Sequence, residues 1–81
     1  MPRYAYLIKR TDPGTDPDRR VLSRGTRISK HTPDQVAARL LARNRAEHSY
    51  YTGPRRCWIW EHHGDSLVLD PAPSDAQPYD G

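Results

Sequence analysis

Cys57, His62 and His63 stand close together in the chain, with His31 and His48 farther off. Thiolate and imidazole are the donors zinc prefers, but a structural zinc site needs about four of them at paired spacings such as C-x2-C or H-x3–5-H. Cys57 and His62 show no such pairing, and their odd separation starts them on opposite faces of a strand. No metal is expected. A lone cysteine beside histidines could also form a nucleophile and base. Cys57, however, falls within an apolar strand, where cysteine usually acts as a small hydrophobe. No glycine-rich phosphate loop, nucleophile elbow or paired-carboxylate motif accompanies it. Catalytic residues and a cofactor are therefore not expected, and an enzyme ranks third among the readings.

The stronger signal is the run Arg55-Arg56-Cys57-Trp58-Ile59-Trp60-Glu61. Alternation along a strand puts Trp58 and Trp60 on one face and Cys57, Ile59 and Glu61 on the other. Indole faces flanked by guanidinium groups are how several single-strand binders stack bases and hold phosphates. Arg20, Arg24, Arg27, Arg55 and Arg56 are the candidate phosphate contacts. Trp58, Trp60 and Tyr6 are the candidate stacking groups. The competing readings place both tryptophans in the core under a helix, or on a face that meets a second copy or a protein partner. Arg39 and Arg43 share a helix flank and read as a solvated surface, with Arg43 able to pair with Glu47 at i,i+4.

These side chains must be positioned by few elements. Arg3 to Lys9 reads as a strand with apolar residues on both faces, the pattern of a strand inside a sheet. Asp12-Pro13-Gly14 and Asp16-Pro17 mark a loop. Arg20 to Ser29 reads as a second strand, with Gly25 as the expected site of a bulge. Thr32, Pro33, Asp34 and Gln35 form a helix start with a capping box. Val36, Ala37, Leu40 and Leu41 then lie on one arc, which also holds Asn44, and the helix should end before Gly53-Pro54. Arg55 to Glu61 and Ser66 to Asp70 are expected to form a closing hairpin with its turn at His62 to Asp65.

The fold class expected is α+β: a small antiparallel sheet in the order β-β-α-β-β, one helix packed on one face, and a disordered C-terminal tail. Residues 1–70 would form a single domain and residues 71–81 a flexible tail rich in Pro and Asp. That tail could mask a basic surface, because residues 1–69 hold all 13 Lys and Arg and a net charge of +6, while the remainder carries −3. Basic domains attract polyanions or acidic proteins. Arg outnumbers Lys 11 to 2 and Phe is absent, however, which GC-rich coding alone would also produce. No apolar run is long enough for a membrane span, no signal-peptide core is present, and the single cysteine has no internal partner, so no membrane partner and a cytoplasmic location are expected. The leading expectation is a small non-catalytic binding module with a basic surface, with nucleic acid as the partner. The alternative is a protein-interaction or homodimerising adaptor that uses an open sheet face.

Overall fold

The computed structural model describes residues 3–13, 20–62, 68 and 72–81. Strand β1 (Arg3–Arg10) and strand β2 (Val21–Ile28) precede helix α1 (Pro33–Glu47), and strands β3 (Arg55–Glu61) and β4 (Gln77–Asp80) follow it. The strands form one sheet in the order β2-β1-β3-β4, and every neighbouring pair is antiparallel. The expected α+β architecture of one helix and a four-stranded antiparallel sheet is present, and β1 is an inner strand as its two apolar faces imply.

The fourth strand differs from expectation. Gln77–Asp80, within the segment read as a disordered tail, pairs with Arg56 to Ile59 of β3. Physical anchors are visible on both sides of the pairing. Tyr79 packs against the core, Asp80 forms an ion pair with Arg56 at 2.6 Å, and the Gly81 amide donates to the Arg55 carbonyl at 3.1 Å. Gly81 also lies so close to Leu41 that a Cβ there would fall 2.8 Å from a Leu41 methyl. The hairpin arm expected at Ser66 to Asp70, and most of its turn, lie outside the described residues. Of that arm only Val68 is described; it is buried and belongs to no strand.

The helix starts as its cap residues dictate. The Thr32 amide donates to Gln35 Oε1 at 3.2 Å, and the Thr32 carbonyl accepts the Val36 amide at 3.0 Å. Arg43 and Glu47 do pair, at 2.7 Å, on the exposed side. Val36, Ala37, Leu40 and Leu41 are buried against Tyr4 and Ile8 of β1 and Cys57 and Ile59 of β3, with Tyr6, Leu22 and Tyr79 at the margin. The strand registers confirm which side this is: Tyr6 stands opposite Ile59, and Ile8 opposite Cys57.

Gly25 is not a bulge. The β1–β2 register runs regularly through it, and the irregularity falls between Ile8 and Lys9, where Leu22 is the extra residue. Gly25 instead makes room for Tyr6, since a Cβ there would lie 3.0 Å from the Tyr6 hydroxyl oxygen. No helix among the described residues is long and apolar enough to cross a membrane.

Candidate functional site: the sheet face turned away from the helix

Because Cys57 and Ile59 point at α1, Trp58 and Trp60 point away from it. Cross-strand partners share a face, so the registers define the whole surface. Row by row it holds Arg24, Leu7, Trp58 and Pro78; then Thr26, Ala5 and Trp60; then Val21, Lys9, Arg56 and Asp80; and Ile28 beside Arg3. Arg3, Lys9, Arg24 and Arg56 therefore surround the two indoles. Among the described strand residues, Asp80 is the one acid on this face, and it is paired with Arg56.

The face is neither helix-covered nor bare. Ala5 and Leu7 lie on it and are both 0% exposed, while Trp58 and Trp60 are half-buried. Cover comes in part from the chain leading into β4. Ala72, Pro73, Ser74 and Ala76 join Leu7, Lys9, Trp58 and Pro78 around a cleft of about 300 Å³. The Trp58 ring carries two cations at its margin, Lys9 Nζ at 5.7 Å and the Arg56 guanidinium carbon at 5.9 Å from its centroid. A second cleft, of about 360 Å³, is not confined to this face. It lies at the edge of β3 past the end of β4, where Tyr4, Ile59 and Glu61 of the helix side and Pro33 of α1 wall it together with Trp60, Asp75 and Gln77.

The expected site residues divide. Arg24 and Arg56 share the face with Trp58 and Trp60. Arg27 stands opposite Tyr4, on the helix side, and Tyr6 also lies on that side, against the core. Arg20 precedes β2 and lends its carbonyl to the Arg10 amide at 2.8 Å. Tyr6 and Arg27 are thus separated from the indoles by the thickness of the sheet. Arg3 and Lys9, which are not among the expected contacts, stand on the indole face instead. Their period-two spacing with Ala5 and Leu7 was the available signal, but only the pairing of Leu7 with Trp58 assigns them to this face.

Arg55 is a correction of a different kind. It is 1% exposed, with Nη1 donating to Asn44 Oδ1 and Nη2 to the Tyr51 carbonyl. It cannot reach a phosphate in solution from there. Burial, and then the like charge of Arg45, push its pKa down. Asn44 Oδ1 accepts from Arg55, and Asn44 Nδ2 is buried with no partner among the described residues. The Tyr51 ring lies under the guanidinium groups of both Arg10, at 4.1 Å, and Arg55, at 5.0 Å. Arg10 holds Asp12 through two hydrogen bonds, and the Tyr51 hydroxyl donates to the same carboxylate at 3.1 Å. This cluster ties β1, α1 and β3 together at one end of the sheet.

Cys57 faces the helix at 0% exposure, and burial pushes its thiol up to about 12. A thiol held protonated in this way is a poor nucleophile. Among the described residues no three His, Cys, Asp or Glu side chains converge as metal ligands would. Comparison with known proteins returns no matching family model, no matching curated protein and no matching solved structure.

Proposed function

We propose that the chain is a non-catalytic binding module whose ligand surface is the sheet face turned away from α1, and that the ligand is a single-stranded nucleic acid. One observation carries the proposal: Trp58 and Trp60 share that face with Arg3, Lys9, Arg24 and Arg56. Half-buried indoles offer π-faces for stacking, and the cations around them offer phosphate contacts. Such a surface needs no sequence-specific hydrogen bonding, because every base can stack. The buried, protonated Cys57 supports the non-catalytic part of the reading.

The test is the salt dependence of binding to short single-stranded DNA and RNA. Phosphate contacts release condensed counterions, so the logarithm of affinity should fall linearly with the logarithm of salt, by roughly 0.7 per phosphate neutralised. Substituting Arg24 by Ala should lower that slope. Binding that ignores salt, or an absence of binding at low salt, would exclude the proposal.

The protein-interaction reading has its own supporting observation. Among the described residues strand β2 is an eight-residue edge of the sheet, and Ile28 at its end is 57% exposed. Unpaired edges of this length recruit other strands unless charge or proline blocks them. Concentration-dependent sedimentation, abolished by Ile28→Lys, would favour this reading over the first.

A further inference from the structure

We infer that the cleft at the β3 edge takes a guanidinium group, supplied by arginine in a peptide or by a free guanidino compound. The cleft opens where β4 parts from β3. Their antiparallel register begins with Arg56 opposite Asp80 and ends with Ile59 opposite Gln77. Continued in step, it would bring Glu61 opposite Asp75. Like charges in that position destabilise a sheet. The pairing stops short of them, and the chain turns instead, with the Ala76 amide donating to the Pro73 carbonyl at 3.0 Å. A space of about 360 Å³ is left with both carboxylates on its walls. Glu61 and Asp75 are exposed, and neither forms an ion pair among the described residues.

The distribution of charge along the chain points the same way. All Lys and Arg lie at or before Arg56, whereas residues 57–81 hold Glu61, Asp65, Asp70, Asp75 and Asp80 and no Lys or Arg. That acidic part of the chain supplies Ile59, Trp60, Glu61, Asp75 and Gln77 to the walls. Among the described residues no cation of the protein itself lines the cleft.

The remaining walls select the kind of cation. Trp60 and Tyr4 add aromatic rings, and Ile59 and Pro33 add apolar surface. An ammonium is compact and strongly hydrated, so it gains little from such walls. A guanidinium is flat and weakly hydrated, stacks on aromatic faces, and carries N–H donors around its edge. It can lie against the indole while its edge donates to both carboxylates. The inference does not depend on the nucleic-acid reading of the sheet face.

The experiment uses the full chain with Trp58→Phe, which leaves Trp60 as the sole tryptophan emitter, and the parent chain beside it. Nα-acetyl-arginine amide, its lysine counterpart and its citrulline counterpart, the neutral isostere, are titrated at constant ionic strength. The arginine compound should change Trp60 emission saturably, lysine should bind more weakly, and citrulline should leave emission unchanged. Glu61→Gln and Asp75→Asn should each weaken arginine binding about two- to five-fold, the range of one exposed ion pair. Both side chains are exposed, so the melting temperature should stay as in the parent. Ethylguanidine that binds more tightly than an arginine-containing peptide would identify a free guanidino compound as the ligand, and the reverse order would identify a protein side chain.

Citrulline that matches arginine would show that shape alone fills the cleft, and lysine that matches arginine would remove the preference for guanidinium; either overturns the inference. Emission that ignores arginine in both proteins overturns it as well. So does a response that survives Glu61→Gln and Asp75→Asn combined.

Discussion

Arg55 Nη1 on β3 donates to Asn44 Oδ1 on α1, a buried contact between the two elements that close the core. Its sequence neighbour Arg56 turns to the other side of the sheet and meets Asp80. Replacing Arg55 by Ala strands Asn44 Oδ1 and the Tyr51 carbonyl and removes a cation from the Tyr51 ring. The expected cost is about 2–4 kcal/mol, read from urea unfolding. Arg55→Lys should not restore it, because a single ammonium cannot reproduce the planar fork that serves both acceptors. Arg56→Ala should leave stability nearly unchanged, since its pair is exposed. An Arg55→Ala protein as stable as the parent would show that this buried cluster is dispensable.

The helix side of the core is set by Leu40, which is 5% exposed among Val36, Leu41, Cys57 and Ile59. Leu40→Ala should cost roughly 2–5 kcal/mol. A chain this small has little reserve, so the variant is expected to be largely unfolded at 37 °C by circular dichroism.

Strand β4 makes the C-terminal residues structural. Deleting Gln77 to Gly81 removes the pairing with β3, the Tyr79 contact and the Asp80 ion pair. The thermal midpoint should fall by at least roughly 5 °C, the shift that about 1 kcal/mol produces in a domain of this size. Tyr79→Ala alone should cost about 1–3 kcal/mol. A truncated protein that melts with the parent would show that the pairing contributes nothing.

Cys57 carries a pH signature. In the unfolded chain the thiol ionises near its ordinary value of 9.0, while in the fold it keeps its proton up to about 12. Between those values the unfolded state binds fewer protons, so stability should fall as pH rises through that window. Urea midpoints measured from pH 8 to 11 should decline, and Cys57→Ala should decline less steeply. A disulfide reagent at pH 8 should modify Cys57 only after urea is added. Rapid modification of the native protein would contradict the burial.

Local chemistry explains what could be read in advance. The cap residues Thr32 to Gln35 and the arc of Val36, Leu40 and Leu41 are signals contained within the helix, and the alternation in β1 and β3 is likewise contained in each strand. The parity of β3 even held the fate of Arg55, which shares a side with Cys57 and Ile59 and so goes wherever the helix goes. What could not be read was which side that would be, because it depends on partners distant in sequence. Gln77 to Asp80 was hidden for the same reason. It has no alternation and includes a proline, and it is held as a strand by β3 and by the contact of Tyr79 with the core. Lys9 entered the site through the pairing of β1 with β3, again a long-range fact.

The position of β1 between β2 and β3 also governs how the chain can assemble. The hairpin of β1 with β2 and the helix can each form early, from contacts between near neighbours in sequence. The other side of β1 must wait for β3, since Tyr4 pairs with Glu61. The Ile8–Cys57 and Tyr6–Ile59 rows therefore close only after a long loop has been ordered, which is where the entropic barrier of folding lies. During synthesis the inner edge of β1 stays open until β3 emerges, so that interval is when a nascent chain is most exposed to pairing with the wrong strand.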